Sequence, residues 1–309
     1  KSMQDVEKGF ASEPVRLAEL ESSLEVSKCR YIRRFVITQA TGKSRIIDDA
    51  ADGGQSEVST DENALCFCSA IQPAHHIEAV QGYMRQSGEI WPQGPEGKMQ
   101  SAGEDWPDAY RYTPMNPAEA EACIVIWWHP QWKCAVAQRY YGLLFGLPNA
   151  VTSFNRWSKL AEAMARRLLM VLMSMYFDDA TMQDWADSIH ETQKCVGEFM
   201  KLLGSPWARE KSQPGSDRGD FLGLIHDLSD VQSGTIKFWP REALIKKVTG
   251  IIHVARESGL QSGVAAKLYG ISNFLETGMF ARVGRAGLTA IKARQYDHGI
   301  AITSEIGSS

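Results

Sequence analysis

The sequence predicts an α+β fold, and three observations carry that prediction. Strand-forming runs separated by turn residues come in pairs, at about 31–47, 122–138 and 221–238, which points to antiparallel hairpins rather than βαβ units. Apolar residues at steps of three and four mark helices at about 149–173, 185–203, 241–256 and 264–279. No segment repeats at a fixed period, so a solenoid is excluded. The 309 residues, 44% hydrophobic and 23% charged, suffice for one large domain or two ordinary ones. Disorder, collagen-like repeats and a small disulfide scaffold are excluded by the same composition.

Tyr31, Phe35, Val36 and Ile37 are strand formers, and Thr41-Gly42 is a turn signal before Ser44–Ile47, so the first hairpin is expected there. Asp52 to Ser56 reads as loop. Gly88, Pro92, Gly94, Pro95, Gly97, Gly103, Pro107, Pro114 and Pro117 make the region from 87 to 117 loop with at most short strands. Ala122–Trp128 and Lys133–Gln138 flank His129-Pro130-Gln131-Trp132 as a second hairpin. Val151, Phe154, Trp157, Ala161, Met164, Leu168 and Leu172 then form one face of a long helix from Asn149 to about Met173. It ends in a short apolar stretch carrying the adjacent acids Asp178 and Asp179. A second helix, Trp185 to Leu203, is stopped by Gly204 and Pro206. Phe221–Ile225 and Thr235–Phe238 are expected to pair across a turn ending in Gly234, ahead of the helices Arg241–Arg256 and Val264 to about Met279.

The formal net charge of -4 argues against a broadly basic nucleic-acid binder. Its distribution is uneven. Lys28, Arg30, Arg33, Arg34, Lys43 and Arg45 form a strip without an acid, followed from Asp48 to Glu62 by six acids without a base. The basic strip is expected to make a local, salt-sensitive grip on phosphate. The six cysteines, at 29, 66, 68, 123, 134 and 195, include no Cys-x-x-Cys pair and read as reduced, intracellular thiols. Cys66 and Cys68 have a spacing poorly suited to metal. The longest apolar run, Leu168–Phe177, is half the length of a bilayer span, and no secretory signal precedes it. The opening residue Lys1 suggests a fragment or a processed piece. The seven histidines, at 75, 76, 129, 190, 226, 253 and 298, form no catalytic or metal-binding pattern, and no Gly-x-Gly-x-x-Gly or Walker sequence occurs.

Asp178 and Asp179 at the end of an apolar stretch call for a cationic partner, or else form a turn or helix cap. Asp105 and Asp108 make a second acidic cluster that could converge on the same point. Hard oxygen ligands of this kind suit Mg²⁺ or Mn²⁺.

Tyr176-Phe177-Asp178-Asp179, preceded by Asp105-Trp-Pro-Asp-Ala-Tyr110 and by Phe145-Gly146-Leu147 leading into the long helix, resembles the palm motifs of reverse transcriptases in order and spacing. The resemblance covers roughly residues 28 to 257. It implies that Asp105, Asp178 and Asp179 are catalytic and hold two metal ions, Mg²⁺ or Mn²⁺, with Asp108 a structural neighbour. Gly42 to Asp48 looks like the fingers strand whose Lys43 and Arg45 grip the triphosphate. Tyr110 takes the place of the ring that excludes a ribonucleotide, or simply packs; Phe145 and Gly146 complete the nucleotide site. Lys211, after Leu203-Gly204, resembles the fourth palm motif, and Phe221-Leu222-Gly223 the turn that grips the primer end. Leu268-Tyr269-Gly270 and the region from Gly278 to Arg285 look like the segment after the thumb in retroelement polymerases. The stretch from Lys98 to Glu104 is more polar than the family's apolar strand, and Leu144 stands where a proline commonly precedes Phe-Gly.

The implied architecture is a right-hand polymerase: N-terminal region and fingers at 1–100, palm at 101–235 with a fingers insertion at about 120–150, and thumb and post-thumb helices at 236–309. The implied function is RNA-directed DNA polymerisation on an RNA template with a DNA primer and deoxynucleoside triphosphates, in a retrotransposon or a domesticated copy. No membrane is implied. Ribonuclease H, integrase or recombinase modules would lie outside this chain. Two other readings stand beside it. A catalytically silent remnant would bind nucleic acid through the basic hairpin and Arg282, Arg285, Lys292 and Arg294. An RNA-dependent RNA polymerase shares the palm, but its third motif usually reads Gly-Asp-Asp and its second places Thr and Asn earlier than Thr152 and Asn155.

Overall fold

The computed structural model describes residues 1–23, 29–38, 42, 44–61, 64–276 and 284–297. Lys28, Thr41, Lys43, Glu62, Gly278, Met279, Arg282 and His298, named above, lie outside the described residues. The strands are β1 (Val15–Arg16), β2 (Tyr31–Thr38), β3 (Ser44–Asp49), β4 (Met99–Asp105), β5 (Ile124–His129), β6 (Cys134–Arg139), β7 (Leu172–Tyr176), β8 (Asp179–Trp185), β9 (Gln213–Ser216), β10 (Arg218–Phe221), β11 (Leu224–Asp227) and β12 (Lys237–Pro240). The helices are α1 (Ser2–Glu7), α2 (Leu17–Ser23), α3 (Gln55–Val58), α4 (Gln72–Ser87), α5 (Ala150–Leu168), α6 (Ile189–Leu202), α7 (Glu242–Ser258), α8 (Ser262–Glu276) and α9 (Thr289–Arg294). The chain is thus a mixed α+β fold. It divides into two compact units, one of residues 1–66 and 106–161, the other of 67–105 and 162–309.

The first unit is built on a sheet in the order β1-β6-β5-β2-β3, in which β2 and β5 run parallel and the other neighbours antiparallel. Ile32, Val125, Tyr140 and Leu144 form its core. Both expected hairpins of this unit are present, β2 with β3 and β5 with β6. Their register corrects the charge reading. Arg33 stands opposite Asp49 and Arg34 opposite Asp48, so these two bases of the strip meet acids across the hairpin, while Arg45 stands opposite Ile37. Arg34 is buried: Nε donates to Asp48 Oδ1 at 2.6 Å and Nη2 to Oδ2 at 2.9 Å. Arg111 joins at 3.4 Å, Asp5 lies 3.8 Å from each guanidinium, and the Tyr140 ring sits beneath both. Buried charges persist only in such a paired, hydrogen-bonded arrangement. Arg33 pairs at the surface with Asp49 and Asp52, and Arg30 and Arg45 are exposed.

The second unit holds a sheet in the order β7-β8-β4-β9 and a smaller one in the order β10-β11-β12. β4 corrects the reading of 87–117 as loop with at most short strands: seven residues form an interior strand, paired with β8 on one side and β9 on the other. Its polar side chains find partners from distant elements, Ser101 accepting from Gln183 Nε2 at 2.8 Å and Glu104 accepting from Gln193 Nε2 at 2.6 Å. Such partners let a polar strand be buried, and they leave no mark in local hydropathy.

Helix α5 ends at Leu168 rather than Met173. Met170 takes a left-handed backbone, φ 57, and the residues from Leu172 become β7. The expected strand Phe221–Ile225 is also a correction. Leu222, φ 51, and Gly223, φ 82, are the central pair of a two-residue turn between β10 and β11, the geometry of a type I′ hairpin. Helices α7, α8 and α9 share a core of Ala255, Leu260, Ala265, Leu268, Leu288 and Ile291. Among the described residues no helix is long and apolar enough to cross a membrane.

Candidate active site

The antiparallel pairing of β4 with β8 runs from Met99↔Trp185 to Asp105↔Asp179, so Asp105 ends one strand opposite the first residue of the other. Asp178 occupies the two-residue turn between β7 and β8, whose flanks Tyr176 and Asp179 are register partners. Buried Met173, Met175 and Met182 anchor this hairpin from below. Phe177, the first turn residue, has a left-handed φ of 52, and its ring packs 4.9 Å from that of Phe67. Sheet register and turn length together bring the three predicted acids, 73 residues apart in sequence, to one end of the sheet.

The electrostatics bear this out. Burial raises the pKa of Asp178; its own backbone N–H opposes the shift, Asp105 adds to it and Lys211 opposes it. Burial, then Asp178 and Asp105, push the Asp179 carboxyl up to about 6 against Lys211 and Arg241. Lys211 ends a short turn whose Ala208 N–H donates to the Asp105 carbonyl at 2.9 Å. Its Nζ lies 2.6 Å from Asp105 Oδ2, a hydrogen bond that raises the lysine pKa.

A cavity of about 410 Å³ opens beside these groups, lined by Asp105, Asp179, Lys211, Gln213, the Phe221-Leu222-Gly223 turn and Arg241, among others. Phe221 is buried and fixes the turn, while Gly223 O accepts from Arg241 N at 3.0 Å. The structure thus brings together Asp105, Asp179, Lys211 and the predicted primer-grip residues, with Asp178 in the adjoining turn. Sequence reasoning missed Arg241, which pairs with Asp220, and Gln213. Asp220 directly precedes Phe221, and Arg241 directly precedes α7; those adjacencies were the only local signal.

The carboxylate set fits a hard divalent cation by donor chemistry: burial and neighbouring carboxylates raise the proton affinity of Asp178 and Asp179, and Lys211 offsets both. Among the described residues no group of three or more His, Cys, Asp or Glu side chains is gathered at ligating separations.

The remaining predicted residues belong to the first unit. Tyr110, in the short turn Ala109–Tyr112, packs its ring 4.5 Å from Phe145 and 5.0 Å from Phe154. Arg45 projects from β3 opposite Ile37. Gly146 has φ 99, and a Cβ there would stand 2.3 Å from Asp48 O, so the close approach it permits is to this carbonyl. Asp108 pairs with Lys8. Lys43 lies outside the described residues.

No protein-family model and no curated protein matches the sequence. Solved structures do. The foamy viral protease-reverse transcriptase dRH in complex with double-stranded DNA aligns over 98% of this chain with a TM-score of 0.63 at 12% identity. The foamy viral protease-reverse transcriptase with double-stranded DNA aligns over 97% at 0.59 and 13% identity, and with an RNA/DNA hybrid over 98% at 0.60 and 12%. This chain spans 44%, 52% and 34% of those three chains, respectively. At such identities the likeness is one of architecture: over nearly its whole length the chain is similar to foamy viral protease-reverse transcriptase and has a reverse-transcriptase-like fold.

Proposed function

We propose that the protein is an RNA-directed DNA polymerase that adds deoxynucleotides to a primer 3′-hydroxyl, from a retrotransposon or a domesticated copy. The observation that carries this reading is the register pairing of Asp105 with Asp179 beside a cavity flanked by Lys211 and the Phe221-Leu222-Gly223 turn. Asp105, Asp178 and Asp179 would hold two Mg²⁺ or Mn²⁺ ions, which when bound supply charge to activate the primer hydroxyl and offset the leaving pyrophosphate. Lys211 lends positive charge to the phosphates, and the Phe221-Leu222-Gly223 turn holds the primer end. Lys43, Arg45, Tyr110, Phe145 and Gly146 serve the incoming nucleotide. The RNA/DNA hybrid bound by the similar foamy viral enzyme supports an RNA template and a DNA primer as partners.

A second reading has its own observation: the Lys211 ammonium already pairs with Asp105, and no closed metal cluster is present among the described residues. That arrangement suits a silent scaffold that binds nucleic acid without extending it. Primer extension on poly(rA) with oligo(dT) and dTTP, in Mg²⁺ or Mn²⁺, decides between them. Extension by wild type but not by Asp178→Asn/Asp179→Asn supports the polymerase; RNA binding without any extension by wild type sinks it.

A further inference from the structure

β7 lies at the edge of its sheet. Tyr176 and Asp179 close the two-residue turn, so alternate residues of β7, Leu172, Ser174 and Tyr176, exchange backbone hydrogen bonds with β8. The backbone groups of Met173 and Met175 therefore face away from the sheet. An edge of this kind would ordinarily pair with another strand or stay in water. Both methionines are fully buried, and a buried backbone group without a partner is strongly disfavoured.

Two side chains of α5 each serve one of these groups, while the Met173 N–H donates to the Val171 carbonyl at 2.9 Å. Glu162 Oε2 accepts from the Met175 N–H at 2.9 Å, and Arg166 Nε donates to the Met173 carbonyl at 2.6 Å. The two stand one helical turn apart and pair with each other at 3.1 Å. They present to β7 the alternating acceptor and donor that a neighbouring strand would present. Arg166 also donates from Nη2 to Ser174 Oγ at 2.6 Å, and that hydroxyl lies 2.9 Å from His76 Nε2, so α4 and α5 hold the strand jointly.

We propose that Glu162 and Arg166 are positioning residues that replace an edge strand and fix the hairpin carrying Asp178 and Asp179. The two-residue turn leaves no slack between β7 and Asp178, so a shift of the strand moves the doublet relative to Asp105. The inference rests on the reading of these acids as metal-holding, and its test is separate from primer extension.

The test uses the full chain as wild type, Glu162→Ala, Glu162→Gln, Arg166→Gln and Arg166→Lys, each checked by circular dichroism. Amide exchange at Met175 and Mn²⁺ binding by electron paramagnetic resonance are measured. Loss of the acceptor in Glu162→Ala should speed Met175 exchange about tenfold, the equivalent of one lost hydrogen bond, whereas Glu162→Gln keeps an acceptor oxygen and should stay within about threefold. Arg166→Gln removes a cation, so charge alone would tighten Mn²⁺ binding; displacement of the hairpin should instead weaken it about tenfold. Arg166→Lys, which keeps the charge but replaces the two-nitrogen fork by a single ammonium, should fall between. Unchanged Met175 exchange in Glu162→Ala, or unchanged or tighter Mn²⁺ binding in Arg166→Gln, overturns the proposal. The expected exchange and Mn²⁺ pattern in a protein that extends no primer supports the edge seal and sinks only the polymerase reading.

Discussion

Asp105 and Asp179 face each other as register partners across β4 and β8, with Asp178 in the adjoining turn and Lys211 against Asp105. The arrangement concentrates negative charge at one end of the sheet. It is unfavourable for stability, which is common where a site is shaped for a cation.

Asp179→Asn should therefore separate activity from stability. Primer extension is expected to fall on the order of a hundredfold or more, as when a charge-stabilising group is removed from a reacting centre. The folded Asp179 pKa of about 6 lies above its ordinary value, so the folded state binds more protons and loses stability as pH rises toward neutral. Replacing the carboxylate by a neutral amide should raise Tm at pH 7. A lower Tm in Asp179→Asn would refute the crowding argument.

His76 supplies a pH dependence of the opposite sign. Burial, against the Gln183 hydrogen bond and with help from Arg166, lowers its pKa from 6.5 to about 4. The unfolded chain then takes up a proton that the folded one refuses, so stability is full above about pH 6.5 and is lost as pH falls toward 4. The loss should reach about 3 kcal/mol at most. Urea melts of wild type and His76→Gln between pH 7 and 4.5 read it: the wild type should weaken more steeply, and parallel profiles would contradict the assignment.

Arg34 and Arg45 come from the same basic strip, yet should behave differently. Arg34→Met leaves two buried acids, Asp48 and Asp5, to share Arg111 and should lower stability by about 3–5 kcal/mol. Arg45→Ala should change stability by no more than about 0.5 kcal/mol but reduce the log–log salt slope of RNA binding by about 1. An unchanged slope in Arg45→Ala would show that this residue does not meet phosphate.

Gly146→Ala should destabilise by about 2–4 kcal/mol, since a left-handed φ and a 2.3 Å approach to Asp48 O act together. Denaturant melts would detect this. A shift below about 1 kcal/mol would mean that the 145–147 loop relaxes freely.

The turn Leu222-Gly223 offers a gain. Asn-Gly is the favoured type I′ pair, whereas Leu at φ 51 is strained, so Leu222→Asn should raise stability by about 1 kcal/mol. A lower Tm would mean that the Leu222 side chain packs more firmly than its backbone is strained.

By itself the sequence determined the elements whose signals are local. Alternating strand formers and turn residues marked β2–β3 and β5–β6, helical periodicity marked α5, α6 and α7, and the resemblance of the segments around Asp105 and Asp178-Asp179 to reverse transcriptase motifs marked the acids. It could not place β4 as an interior strand, because Ser101 and Glu104 are made compatible with burial by Gln183 and Gln193 from far along the chain. It set Arg34 and Asp48 in opposing surface strips, because hydropathy and charge carry no register; pairing across the hairpin buried both. It also gave no sign that Glu162 and Arg166, ordinary polar residues of a helix, complete the edge of β7. Those relations exist only when elements distant in sequence meet, since a buried hydrogen bond or ion pair is a property of two partners and only one of them is present in any local window.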